Sequence, residues 1–379
     1  MKKILIIFGT RPEAIKMAPL IKELENHKDK FYTEVCVTGQ HKEMLSQVLD
    51  IFKITPDYDL SIMSHGQDLY DITEKIIQGM KGVLNSSKPD LVLVHGDTTT
   101  TFTASLAAFY QKIKIGHIEA GLRTDNKFSP WPEEANRRLT SVLADYHFSP
   151  TNSNKDNLLK ENIQDEYVYV TGNTVIDALN IIVKRFDIDQ IFQQDITKSI
   201  KKNGFSNIDK KYILVTGHRR ESIGQGFIDI CSALKTIAER NPMVDIVYPV
   251  HLNPNIKSTV VNILSNIPNI FLINPLQYEE FILLMQKSYM VLTDSGGIQE
   301  EAPGLGKPVL VMRDTTERSE AVDAGTVKLV GTNALTIVKE VQELLDNSEL
   351  YVSMSNAINP YGAGDSSKQI RKILETLPL

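Results

Sequence analysis

One unit recurs along almost the whole chain: a short run of apolar residues, a polar turn, then an amphipathic helical stretch. The runs fall at residues 4–8, 32–38, 90–94, 114–118 and 146–149, and the series restarts at 212–216, 244–250, 270–273, 290–293 and 309–312. Within each run the apolar residues are continuous rather than alternating. Such strands are covered on both faces, as in a parallel sheet with helices on either side. After the first run, Pro12 suits an opening helical turn, and Ile15, Ala18, Leu20, Ile21 and Leu24 form a helical stripe. The stretch 173–210 carries a long helical pattern with a polar, Lys-rich end, which reads as a connection. The expected architecture is therefore two doubly wound, Rossmann-like α/β domains, 1–172 and 211–364. A final helical segment, 365–379, follows the turn Tyr361-Gly362-Ala363-Gly364 and could return to pack on the first domain.

Length and charge narrow the function. The 379 residues suffice for two or three domains. A formal net charge of −6 argues against nucleic-acid binding, which calls for a basic surface. No apolar run approaches the roughly 18 residues that cross a bilayer. Met1-Lys2-Lys3 leads into only a short apolar stretch, unlike a signal peptide. Cys36 and Cys231 are too few and too far apart for a disulfide framework or a zinc site. A cytoplasmic protein, with no nucleic-acid or membrane partner, is expected.

In open parallel sheets, ligands bind outside the carboxyl ends of the strands. That is where this sequence gathers polar residues. Gly9-Thr10-Arg11-Pro12-Glu13, with Lys16 a turn later, follows the first run. His95-Gly96-Asp97-Thr98 follows the third and Glu119-Ala120-Gly121-Leu122-Arg123 the fourth; Gly217-His218-Arg219-Arg220-Glu221 follows the sixth. Asp294-Ser295-Gly296-Gly297 joins an apolar strand to a helix start, where close backbone approach and helical N–H groups favour an anion such as a diphosphate. Glu301, a turn further on, could accept bonds from ribose hydroxyls.

Plainer readings exist for several of these. Arg11 and Lys16 alone would be solvated charges, Asp97 before three threonines is a fair N-cap, and Glu133 suits a helix dipole. His95, His117 and His251 read as structural. No HExxH or Asp-x-Asp pattern offers a metal site, so a bound diphosphate would be met by Arg11, Lys16, His218, Arg313 and Arg318. Gly-x-Gly-x-x-Gly does not follow Phe8, which disfavours a nicotinamide enzyme; no cofactor is expected.

The motifs Phe8-Gly9-Thr10-Arg11-Pro12-Glu13-Ala14-Ile15-Lys16, His95-Gly96-Asp97-Thr98, Glu119-Ala120-Gly121-Leu122-Arg123, Pro132-Glu133-Glu134-Ala135-Asn136-Arg137, Thr216-Gly217-His218-Arg219-Arg220-Glu221, Asp294-Ser295-Gly296-Gly297, Asp314-Thr315-Thr316-Glu317-Arg318 and Asn359-Pro360-Tyr361-Gly362 resemble, in order and over essentially the whole chain, the non-hydrolysing UDP-N-acetylglucosamine 2-epimerases. The resemblance implies a glycosyltransferase-B-like fold with its site in a central cleft, and interconversion of UDP-N-acetylglucosamine and UDP-N-acetylmannosamine. It places Asp97, Glu119, Glu133 and His218 among catalytic positions, with Arg11 and Lys16 beside them. Ser295, Gly296, Gly297, Glu301 and Arg318 match UDP contacts, and Leu276 and Phe281 the uracil segment. Gln40, Gln67 and His251 lie in segments matching a second, activating UDP-N-acetylglucosamine site, although Glu43 and Gly66 depart from the residue types there. A homodimer is implied as well. The rival readings are a glycosyltransferase or a hydrolysing epimerase on the same scaffold.

Overall fold

A computed structural model describes residues 1–39, 42–217, 224–250 and 254–379, without the side chains of 42–44, 254 and 255. The chain divides into two compact units, Met1–Ala178 together with Tyr361–Leu379, and Leu179–Pro360.

Each unit is built on one parallel sheet. In the first, β1 (Lys2–Phe8), β2 (Phe31–Val37), β3 (Tyr58–Asp59), β4 (Leu91–His95), β5 (Lys114–Ile118), β6 (Tyr146–Ser149) and β7 (Val168–Val170) lie in the order β3-β2-β1-β4-β5-β6-β7. In the second, β8 (Tyr212–Thr216), β9 (Asp245–Pro249), β10 (Ile270–Ile273), β11 (Met290–Thr293), β12 (Val309–Val311) and β13 (Val327–Leu329) lie in the order β10-β9-β8-β11-β12-β13. All neighbouring strands run parallel. Both orders are Rossmann-like: the chain builds outward from a central strand, then resumes on its other side. Ile4, Leu5, Ile6, Ile7 and Phe8 have no exposed surface, and Leu91 to Val94 likewise. Continuous apolar runs thus report strands with helices on both faces, and the two-sheet α/β class expected from sequence is the one observed.

Three strands lie outside the apolar series. β3, β7 and β13 are two- or three-residue edge strands, partly exposed, with no continuous apolar run to announce them. The single helical pattern after residue 173 is two helices, Thr174–Ile188 and Gln190–Lys202. The break falls at Asp189, whose carboxylate accepts the Phe192 N–H at 2.9 Å and caps the second helix.

The helix Ser366–Thr376 packs on the helix Arg11–Glu25 in the first unit. Lys2 Nζ donates to the carbonyls of Leu374, Glu375 and Leu377 at 2.6–2.9 Å, filling orphan acceptors at that helix end. At the other end Asp177 accepts the N–H groups of Ser366 (3.1 Å) and Ser367 (2.8 Å). Among the described residues, no helix is long and apolar enough to cross a membrane.

The sheet of the first unit also buries three histidines side by side. His95 ends β4, and His117 of β5 pairs in register with His147 of β6. All three are at most 3% exposed. Burial, the largest cause in each case, pushes their pKa values from 6.5 down to about 4, about 3 and about 4. Lowered folded-state values mean that the unfolded chain binds more protons as pH falls below 6.5. Their stabilisation is thus complete above pH 6.5 and declines toward pH 4, by up to about 1.4 kcal/mol per pH unit for each histidine. The buried carboxyls of Glu13 and Asp177, whose pKa values burial raises, act in the opposite sense nearer their own range. Urea unfolding at pH 7.0, 6.0 and 5.5 should therefore show falling stability; a flat or rising trend contradicts neutral, buried imidazoles.

Candidate active site

In each unit the polar clusters sit at the carboxyl ends of the two strands that flank the point where the strand order reverses, and of the strands beside them. In the first unit the flanking strands are β1 and β4. The turn after β1 admits no side chain at Gly9, because a Cβ there would collide with the hydroxyls of Thr38 and Thr100. Glu13, 2% exposed, ties the two turns together. Its Oε2 accepts the N–H groups of Gly9 (3.1 Å) and Thr10 (2.8 Å) and the Thr10 hydroxyl (2.8 Å). Its Oε1 accepts the hydroxyls of Thr98 (2.8 Å) and Thr101 (3.1 Å), at the start of the helix Thr99–Tyr110. Burial raises its pKa and these bonds oppose the rise. The half-buried Arg11 opens the helix that Glu13 anchors.

Glu119, just after β5, has φ +64°, a left-handed conformation that a non-glycine residue holds only under constraint. Its side chain is 10% exposed and forms an ion pair with Lys16. Asn173 Nδ2 donates to the same oxygen, Oε2, at 2.8 Å. His95 Nε2 lies 3.8 Å from that oxygen, and neither His95 ring nitrogen has a hydrogen-bond partner among the described residues. Gly96, whose Cβ would lie 3.6 Å from Glu119 Oε1, brings the turn carrying Asp97 alongside. Asp97 is paired with Arg137, and Asn136 Nδ2 donates to its carbonyl at 3.0 Å. Arg137 is in turn held by the fully buried Glu134 at 2.9 Å. Glu133 heads the same helix, Glu133–Leu143, half-buried, and none of the hydrogen bonds or ion pairs among the described residues engages its carboxylate. The structure thus gathers Lys16, Asp97 and Glu119 around His95, and carries Glu133 on the helix that grips Asp97.

In the second unit the flanking strands are β8 and β11, joined at their ends by the Thr216 and Thr293 hydroxyls at 2.5 Å. A cavity of about 230 Å³ opens there, lined by Thr216, Gly217, Pro249, Pro275, Leu276, Phe281, Ser295 and Ile298. It brings together Leu276, Phe281 and Ser295, three residues singled out from sequence. Beside it the helix Gly296–Gly304 begins. A Cβ on Gly296 would lie 2.7 Å from Arg318 Nη1, so only glycine lets the guanidinium rest on that turn. Glu300 (2.9 Å, from Nε) and Glu317 (2.6 Å, from Nη1) hold the guanidinium in place. The half-buried Glu301 lies with its Oε1 3.8 Å from where a Gly297 Cβ would stand.

A family model described as UDP-N-acetylglucosamine 2-epimerase matches residues 22–375. The chain belongs to the UDP-N-acetylglucosamine 2-epimerase family. It is 61% identical over 373 residues to the Campylobacter jejuni UDP-N-acetylglucosamine 2-epimerase, covering 98% of this chain and 97% of that one. The Neisseria meningitidis UDP-GlcNAc 2-epimerase, solved bound to UDP-GlcNAc, superposes with a TM-score of 0.91 at 54% identity, over 98% of this chain and 99% of that one. The Methanocaldococcus jannaschii UDP-GlcNAc 2-epimerase, solved with UDP-GlcNAc and UDP, gives 0.82 at 33% identity, over 98% and 99%.

Of the residues singled out on the epimerase resemblance, His218, Gln40 and His251 lie outside the described residues. Gln67 is turned back on its own loop, accepting the Ser64 N–H at 2.9 Å. It borders an apolar groove of about 930 Å³ with Leu69, Tyr70, Ile72 and Trp131. Conversely, Glu13, Arg137 and Asn173 were not singled out as site residues, although Glu13 and Arg137 stand inside motifs read from sequence. Thr10-x-x-Glu13 is a capping box that a local pattern could have shown. The partners that tie these residues to the site, however, lie 85, 40 and 54 residues away, and no local pattern reveals such pairings.

Replacing Glu13 by Ala strands two backbone N–H groups, each at a cost of about 1–3 kcal/mol. Urea denaturation should show a loss of several kcal/mol, and Glu13→Gln a smaller one, since the Thr98 and Thr101 hydroxyls can turn to accept its amide. Equal stability of Glu13→Ala and the wild type contradicts the anchoring role.

Proposed function

We propose that this protein interconverts UDP-N-acetylglucosamine and UDP-N-acetylmannosamine by inversion at C2. The observation that carries this reading is Glu119, a carboxylate fixed in a left-handed backbone conformation and ion-paired with Lys16 next to Asp97. The C2 hydrogen of an N-acetylhexosamine is not adjacent to a carbonyl and is barely acidic, so elimination must precede or accompany its removal. The C1–O bond to UDP breaks with its electron pair leaving on the phosphate. A carboxylate takes the C2 proton, and a C1=C2 double bond forms. A proton then returns to the opposite face of C2, and a UDP oxygen re-forms the bond to C1.

Asp97, Glu119 and Glu133 supply the carboxylates of this scheme, with their assignment to the two faces of C2 left open. Arg11, Lys16 and Arg318 are the cations assigned to charge growing on the leaving diphosphate, with His218 also assigned to that phosphate. Leu276 and Phe281 are assigned to the base of UDP, and Ser295, Gly296, Gly297 and Glu301 to its phosphates and ribose. The pocket shared by Leu276, Phe281 and Ser295 supports the base assignment. The product suits the supply of N-acetylmannosamine units for cell-surface polysaccharide. The same reading includes a cytoplasmic homodimer, and a second, activating UDP-N-acetylglucosamine near Gln40, Gln67 and His251.

Incubation with UDP-N-acetylglucosamine alone, followed by proton NMR of the anomeric region, tests the reaction. Growth of the UDP-manno signal without acceptor is expected. Free N-acetylmannosamine plus UDP would mark a hydrolysing enzyme instead, and no change without an acceptor a transferase. Asp97→Asn, Glu119→Gln and Glu133→Gln should each lower kcat by about 10²–10⁴-fold while UDP affinity by calorimetry stays near that of the wild type. Near-normal turnover in all three removes the acid–base assignment.

A further inference from the structure

We infer that Asn173 is a positioning residue for the reaction, holding Glu119 ionised and aimed, and that it is held in turn by the segment re-entering the first unit at Tyr361. The inference rests on the reading of Glu119 as an acid–base group.

Asn173 is 2% exposed and stands between β7 and the helix Thr174–Ile188. Its backbone N–H donates to the Tyr361 carbonyl at 2.8 Å. Its Oδ1 accepts the Val175 N–H at 3.0 Å. With that oxygen facing a backbone donor, the amide nitrogen must be the atom directed at Glu119, 2.8 Å away. An amide nitrogen only donates. It therefore favours the carboxylate over the carboxylic acid, and it does so at the oxygen that Lys16 also holds. Among the described residues, the charged and titratable groups facing Glu119 include Lys16 from the helix Arg11–Glu25 and His95 at the end of β4, with Asp97 acting on the same His95. Asn173 adds a neutral donor to that set.

The support continues behind Asn173. Gly172 has φ +79°, and a Cβ there would lie 2.7 Å from Ser366 Oγ and 3.0 Å from the Tyr361 carbonyl. One turn into the helix, Asp177 receives the N–H groups of Ser366 and Ser367. The main chain of Asn173 is thus clamped from the side of the returning segment, while its amide reaches into the catalytic cluster. Displacing that segment displaces the donor on Glu119.

Asn173→Asp tests this, since aspartate keeps an oxygen for the Val175 N–H but replaces the donor by a second carboxylate beside Glu119. The expected result is a fall in kcat of about 10- to 100-fold, the usual worth of a hydrogen bond to a charged group. The limb of the kcat–pH profile that Glu119→Gln abolishes should move upward by about one pH unit or more. UDP affinity should remain near wild type, while Tm falls because a second carboxylate is buried beside Glu119. Asn173→Ala, which removes the donor without adding charge, should move the limb in the same direction by less. Gly172→Ala, which touches Glu119 nowhere, should do so more weakly still. A purely structural role would lower Tm and leave the limb in place, and that result overturns the inference. If Glu119→Gln turns over normally, the acid–base reading fails and this inference with it. If Glu119→Gln is slow while Asn173→Asp keeps the wild-type limb, only the inference falls.

Discussion

Parallel strand polarity is the constraint on which the rest of this structure depends. When every strand of a sheet points the same way, all carboxyl ends lie on one edge, and each connection must cross a face of the sheet to return. Where the strand order reverses, the two flanking connections leave on opposite sides and uncover the turns between them. This chain makes that arrangement twice, at β1 and β4 and again at β8 and β11. Glycines at those turns have a steric cause: Gly9 sits against two threonine hydroxyls and Gly296 against a guanidinium.

Charges brought to such an edge are only partly hydrated, so they must be compensated by one another. Lys16 with Glu119, Arg137 with Asp97 and Glu134, and Arg318 with Glu300 and Glu317 accomplish this. These pairs do more than neutralise. Each fixes a side chain whose reach would otherwise be spread over many rotamers, so its orientation is set before any ligand arrives. Glu13 does the same for the turns themselves, since a single carboxylate satisfies backbone donors after β1 and threonine hydroxyls after its sheet neighbour β4. The three buried histidines add polar groups that burial keeps neutral, so the charge around His95 comes from Lys16, Asp97 and Glu119 rather than from these imidazoles.

How much of this could be read in advance differs by level. Continuous apolar runs disclosed the central strands, because strands covered on both faces have no polar alternation. The two- and three-residue edge strands β3, β7 and β13 gave no such signal, being too short and too exposed to require one. The polar clusters at strand ends were visible as sequence. Their connections were not: Asn173 to Glu119, or Thr98 to Glu13, join segments whose approach depends on how far each intervening helix carries the chain back.

The central strands and the helices alternating with them, the sheet class and the edge on which polar residues collect follow from the sequence alone, since hydrophobic periodicity and turn chemistry act locally. Which carboxylate meets which cation, which donor turns toward Glu119, and where the last helix docks were decided by tertiary structure. Those outcomes depend on distances across a sheet, fixed by strand register and packing, and no stretch of neighbouring residues encodes them.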